Sequence, residues 1–397
     1  MMLSLDKVFN AQTVLKNIVR ETKLVRAYGI APDCELYLKP ENLQITGSFK
    51  VRGSAYKIAM LTNEEKQKGV IACSAGNHAQ GVALAATKNG IKSLICLPDS
   101  APISKIEATK GYGADVCLVE GCYDDAYQKA LELRDSEGYT FVHPFDDENV
   151  IAGQGTIALE ILNDLDNIDA IVVPIGGGGL ISGIAYTVKQ IRPSVKVYGV
   201  QAAGAPSMFN SVNDGEIKCL SSVSTIADGI AVKKPGENTY AIVKEYVDEI
   251  TLVTDDEVAS AILALIEKQK MIAEGAGATA VAAVLFNKFN LKGKRVVAVV
   301  SGGNIDVTSL SRVIDRGLLK SGRSSSLLIE LIDKPGQLKE ISRIIADHGG
   351  NVTGVHYEKG NTESVNGCFL RIEMETRDFE HVNLITKTLR DEGFKLI

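Results

Sequence analysis

From about Gly69 onward the chain repeats one rhythm, a short apolar run followed by a segment with helix-like spacing. Val70 to Cys73 precedes Ala79 to Thr87, Ser93 to Leu97 precedes Pro102 to Lys110, and Val116 to Val119 precedes Asp124 to Leu133. The rhythm resumes with Ala170 to Ile175, Leu180 to Ile191, Val195 to Val200 and Arg295 to Val300. Runs that are apolar at nearly every position suit strands covered on both faces, as in parallel sheets whose crossovers are helices. An α/β fold follows. So many strands would make an unusual single open sheet, and 397 residues exceed one ordinary core, so two parallel-sheet subdomains are expected.

The small polar run Ser321-Gly322-Arg323-Ser324-Ser325-Ser326 interrupts the pattern and reads as a linker, because such residues bury little and lose much entropy when ordered. It divides a region 1–320 from a tail 327–397. The tail offers a strand from Leu327 to Ile332, a helix with Leu338, Ile341, Ile344 and Ile345 on one face, and a strand from Val352 to Tyr357. Then Cys368, Leu370, Ile372 and Met374 alternate with polar neighbours and Phe369, as a half-buried strand requires. A helix carrying Phe379, Val382, Ile385 and Leu389 and a last strand from Phe394 to Ile397 complete a ferredoxin-like βαββαβ order.

Composition narrows the partners. The net charge is −6 with no dense basic block, and aromatic residues are few, which argues against nucleic acid and against a polybasic membrane surface. No apolar stretch approaches a spanning helix, and a cytoplasmic protein with small-molecule partners is expected. The seven cysteines are dispersed without a Cys-x-x-Cys pair, which fits reduced, mostly buried thiols and no metal site.

Four motifs carry chemistry. Lys50 lies in Thr46-Gly47-Ser48-Phe49-Lys50, where small residues leave room and Phe49 supplies an apolar neighbour; desolvation there would lower the amine's pKa and make it a nucleophile and base. Ser74-Ala75-Gly76-Asn77-His78 joins a strand to an apolar helix, so its amides could hold a substrate carboxylate and Asn77 could donate to a ring oxygen, or Ser74 and Asn77 could simply cap the helix. Gly176 to Gly179 with Leu180 follows a buried strand and suits a phosphate nest. A dinucleotide turn or a purely structural loop would use glycines too, although the former wants an acid where Gln201 stands. Ser301 closes the strand from Arg295, at the carboxyl edge where open α/β sheets bind ligands, and Glu274 either borders the site or opens a helix. A reactive amine with a phosphate cradle suggests pyridoxal 5'-phosphate, whose aldehyde and phosphate both find partners.

Together these motifs resemble the threonine/serine ammonia-lyases, of the fold-type II (tryptophan synthase β-like) pyridoxal phosphate enzymes, over residues 1–320. The resemblance implies that Lys50 forms the Schiff base, Phe49 and Asn77 contact the cofactor, Gly176, Gly177, Gly178, Gly179 and Leu180 hold its phosphate, and Ser301 meets the ring nitrogen. It implies a substrate loop at Ser74, Ala75, Gly76, Asn77 and His78, and a smaller subdomain of roughly 52–144. The tail, with Asp333-Lys334-Pro335-Gly336 at a strand-to-helix turn, resembles the ACT domain, which implies an amino-acid effector in a regulated homodimer or homotetramer. The implied reaction is α,β-elimination of ammonia from threonine, and also from serine, since one methyl discriminates by only about 1–3 kcal/mol. Such lyases serve isoleucine biosynthesis or threonine catabolism, and the chain does not choose between them.

Two departures are informative. Serine racemases of this group carry a serine where this chain has Ala75, so the acid that would reprotonate the substrate from the other face is missing. Where those relatives hold a divalent metal with acidic side chains, this chain has Gln201 and Ser207, and hard cations prefer carboxylates.

Overall fold

The computed structural model describes residues 3–358 and 367–397. These residues form two compact units, 1–307 and 308–397. The boundary falls earlier than the polar run. A helix, Val307–Lys320, follows it, and Ser324, Ser325 and Ser326 are the first residues of the strand Ser324–Ile332 rather than a linker. Their backbone pairs with Glu375, Met374 and Glu373, so ladder hydrogen bonds offset the ordering cost that the serines suggested would prevail.

The first unit contains two sheets. The larger runs in the order Val25–Arg26, Glu35–Pro40, Arg295–Val300, Ala170–Pro174, Lys196–Ala202, Glu249–Val253, parallel except for the first pair. The smaller is wholly parallel, in the order Asp115–Val119, Ser93–Pro98, Val70–Cys73, Thr140–Phe141. Val70–Cys73 and Ala170–Pro174 are buried at every position, as their uninterrupted apolar runs require. Glu35–Pro40 escaped the sequence reading because it carries charges at both ends. Lys39 within it is fully buried, and its Nζ donates to Glu160 (2.5 Å) and to the carbonyl of Thr22.

That lysine belongs to a buried ionic cluster. Arg52 grips both oxygens of Glu41 (2.8 Å each) and both of Glu160 (2.6 and 2.9 Å), so two cations and two anions neutralise one another away from water. The cluster fastens the helix Lys50–Ala59 to the helix Glu148–Asp164 and to the end of the strand Glu35–Pro40.

All seven cysteines are free thiols: Cys73, Cys96 and Cys368 are buried, Cys34 and Cys117 half-buried, Cys122 and Cys219 exposed. Fewer are buried than the sequence suggested, since Cys122 caps a helix at the surface and Cys219 lies in a loop. Cys73, Cys96 and Cys117 stand abreast on neighbouring strands. Burial pushes the Cys73 and Cys96 thiols up to about 12.

The second unit is a four-stranded antiparallel sheet in the order Asn351–Glu358, Gly367–Glu375, Ser324–Ile332, Lys395–Leu396, with the helices Gln337–Asp347 and Phe379–Asp391. This is the ferredoxin-like topology. Its core holds Ile329, Ile341, Ile345, Leu370, Ile372 and Ile385. Leu338 and Phe379, expected on the core faces, are instead exposed in the first turns of their helices.

Candidate active site

Lys50 opens the helix Lys50–Ala59, and the loop before it is stitched to the turn that ends the strand Arg295–Val300. Phe49 N donates to Ser301 O (3.1 Å), Gly303 N donates to Gly47 O (2.9 Å), and Ser48 bridges Gly302. Gly47 is required there: its φ is +68°, and a Cβ would lie 2.2 Å from Asn304 Oδ1. The sequence separates Lys50 from Ser301 by most of the unit, and the fold makes their loops neighbours.

The Lys50 ammonium donates to Pro144 O (2.8 Å) and lies 5.3 Å from the centre of the Phe49 ring. Burial lowers its pKa to about 8, with Glu274 pulling the other way. The next residue, Phe145, is pressed against the glycine turn, so Lys50 and the turn share one short segment. A Cβ on Gly177 would meet the Phe145 ring at 2.4 Å, one on Gly179 its backbone and Cβ at 2.9 Å, and one on Gly178 would meet Met208 and Thr239 at 2.7 Å. Gly178 also has φ +99° and stands immediately before the helix Gly179–Ile191. Leu180, in that helix's first turn, is buried. Side chains are thus excluded where backbone N–H groups at a helix start would hold an anion.

Ser74, Ala75 and Gly76 are half-buried between the strand Val70–Cys73 and the helix Asn77–Lys88. Ser74 Oγ accepts from Gly76 N (3.1 Å), a local turn contact. Asn77 is no cap: its Nδ2 donates to Glu274 Oε1 (2.7 Å) and its Oδ1 accepts from Asn304 Nδ2 (2.8 Å). His78 is the second residue of the helix Asn77–Lys88. It is buried, with Nε2 at Val142 O (2.8 Å) and Nδ1 near Ser54 Oγ (3.4 Å), and burial followed by the nearby Lys50 charge pushes its pKa down to about 3. It is a neutral brace between helix and sheet.

Glu274 immediately precedes the helix Gly275–Leu285, as a helix-opening acid would. Its side chain, however, is 5 % exposed and makes no cap bond, reaching Asn77 instead. Burial, reinforced by the negative charge of Asp228, raises its pKa to about 7. Asn304 and the carbonyl of Pro144 also join the site, and no local sequence signal marked either. Among the described residues no group of three or more His, Cys, Asp or Glu side chains is arranged to hold a metal ion. Gln201 uses its Oε1 to accept from Phe209 N (2.7 Å).

A desolvated amine and an anion-holding glycine turn, set between two parallel-sheet halves, define an enzyme that carries an aldehyde cofactor bearing a phosphate. A model for "pyridoxal-phosphate dependent enzyme" matches residues 15–302, and the chain belongs to that family. Within it, the chain is 48% identical to the L-threonine ammonia-lyase of Thermotoga maritima, across 100% of this chain and 99% of that one. It is 47% identical to a catabolic L-threonine dehydratase of Staphylococcus aureus across 80% of this chain and 93% of the relative. Among solved structures, threonine deaminase isoform 2 of Solanum lycopersicum superposes with a TM-score of 0.75 at 38% identity, covering 80% of this chain and 95% of that one. Maize serine racemase also superposes at 0.75, with 34% identity over 80% of this chain and 98% of its own. The cofactor is pyridoxal phosphate, and the residues present fit it: an amine whose charged form burial disfavours, and a turn that only glycine can form.

Proposed function

We propose that the chain is an L-threonine ammonia-lyase, converting L-threonine to 2-oxobutanoate and ammonia by α,β-elimination, and that L-serine is turned over to pyruvate by the same route. The observation that carries this reading is the placement of the Lys50 amine, which donates to Pro144 O one residue before the phenylalanine packed on the glycine turn. Near-complete coverage of the Thermotoga ammonia-lyase at 48% identity supports the choice of substrate.

Pyridoxal phosphate, when bound, supplies the electron sink for the charge left at the substrate's α-carbon. The chain's residues do the rest. The Lys50 amine would hold the aldehyde and, once released, would take the α-proton, for which a pKa near working pH is suited. The amides of Gly176 to Leu180 and the N-terminus of their helix hold the phosphate. With the cofactor bound, the Phe49 ring would line the Lys50 side of the site, Asn77 would offer an N–H to the ring oxygen, and the Ser301 hydroxyl would serve the ring nitrogen. A hydroxyl there cannot stabilise a protonated ring as a carboxylate would, which favours prompt loss of the β-substituent. Ser74, Ala75 and Gly76 receive the substrate carboxylate at the start of the helix Asn77–Lys88.

Serine racemisation is the second reading, raised by the likeness to the maize enzyme. Ala75 speaks against it, because a methyl has no proton to return. The test is an absorbance spectrum with a 2-oxo acid assay. Wild type should show a visible band that borohydride abolishes, leaving the cofactor fixed on the peptide containing Lys50, and should form 2-oxobutanoate from threonine. Lys50→Ala should lose both the band and at least about a thousandfold in turnover. A Lys50→Ala protein that keeps its band and rate would refute the assignment.

For the second unit, we propose that its ferredoxin-like sheet binds an amino-acid effector and that the enzyme works as a homodimer or homotetramer.

A further inference from the structure

The amide of Asn77 is held in a single orientation by a chain of hydrogen bonds that begins at a backbone carbonyl. Thr46 O can only accept, so the end of the Asn304 amide lying 2.7 Å from it is Nδ2. The second hydrogen of that nitrogen points to Asn77 at 2.8 Å, where the receiving atom must be Oδ1. The other end of Asn77 is therefore Nδ2, which gives one hydrogen to Glu274 Oε1 at 2.7 Å and keeps one. Side-chain amides often fit their pockets either way round. Here one carbonyl decides for both.

The three side chains are closely packed against backbone. A Cβ on Gly302 would lie 2.4 Å from Glu274 Oε1 and 3.2 Å from Asn77 Nδ2, and one on Gly47 would strike Asn304 Oδ1. Two glycines thus wall the three side chains in. Asn304 itself hangs from the turn after Ser301, so the segment that supplies the ring-nitrogen contact also sets the Asn77 amide.

We infer that Asn304 is a positioning residue for the cofactor, fixing Asn77 so that an N–H rather than its carbonyl oxygen is offered to the ring oxygen. This rests on the reading of Asn77 given under the proposed function. The physical consequence is direct: an N–H stabilises an anionic ring oxygen, whereas a turned amide sets two electron-rich oxygens against each other.

The test measures cofactor affinity in full-length holoenzyme equilibrated with graded pyridoxal phosphate, read from the visible band. Asn304→Asp replaces the donor with an acceptor and should weaken binding roughly ten- to hundredfold, the range for a hydrogen bond to a charged group. In an Asn77→Ala background the same substitution should change affinity less than about twofold, because no amide is left to orient. Equal losses in both backgrounds would overturn the inference and reduce Asn304 to a packing residue. If circular dichroism shows that Asn304→Asp does not fold, Asn304→Ala carries the same cycle. A wild type without any visible band would sink the Lys50 assignment and this inference together; a normal wild-type band with equal losses sinks this inference alone.

Discussion

Lys50 and Glu274 are drawn toward neutrality by the same cause, removal from water. For the lysine, burial favours the neutral amine near pH 8; for the glutamic acid it favours the neutral carboxyl up to about 7, with Asp228 adding repulsion and Asn77, Lys105 and Lys50 opposing. A raised carboxyl pKa means that between 4.5 and about 7 the folded protein keeps a proton that the unfolded chain has released. The contribution of this one group to stability therefore falls as the pH rises through that window, by on the order of 3 kcal/mol, while buried His78, held neutral, contributes in the opposite sense. Glu274→Gln should remove this slope. Urea midpoints of cofactor-free protein at pH 5 and pH 7.5 measure it, and a variant with the wild-type slope would show that the carboxyl titrates normally. Lys50 and the glycines were legible in the sequence because a lysine among small residues and four consecutive glycines are locally unusual. Glu274 was ambiguous, and Asn304 and Pro144 were silent, because their parts depend on contacts across the fold.

At the scale of elements, the helix that begins with Lys50 is anchored by its third residue. Arg52 sits in the buried cluster with Glu41, Glu160 and Lys39, so the first turn that carries the reactive amine cannot shift without breaking ion pairs shielded from solvent. Glu160→Ala would leave Arg52 and Lys39 with only Glu41 between them. The expected loss of stability is about 3–5 kcal/mol, the usual cost of an uncompensated buried charge, measured by denaturant unfolding. A loss below about 1 kcal/mol would mean that water or repacking replaces the carboxylate. The strand Glu35–Pro40, which carries Lys39, shows why the sequence reading was incomplete. Its charges resemble those of a surface loop, and their burial becomes intelligible only once Glu160, more than a hundred residues on, is seen beside them. Strands with continuous apolar runs needed no such partner and were read almost to the residue.

For the whole molecule, the chain divides into a cofactor-bearing unit and a ferredoxin-like unit, and the Staphylococcus relative matches 80% of this chain with 93% of its own length. A chain ending after Ser321 should therefore fold and turn over threonine, while losing its response to amino acids such as isoleucine, valine or serine. Rates of 2-oxobutanoate formation with and without those amino acids, in full-length and shortened protein, decide this. An unchanged response in the shortened protein would place the effector site in the first unit. The second unit was the more legible in outline, since alternation in Gly367–Glu375 maps directly onto a one-sided sheet. Its limits were not, because serines pair as well as any residue once a neighbouring strand is present.

The uneven exposure of the thiols makes the protein ready for site-selective labelling. Cys122, beside the smaller sheet, and Cys219, on the larger-sheet side, are open to solvent, whereas the raised pKa values of Cys73 and Cys96 keep them as sluggish thiols. A maleimide dye pair introduced under mild conditions should settle on the two exposed positions without any engineered cysteine. Energy transfer between the dyes would then report the separation of the two labelled segments.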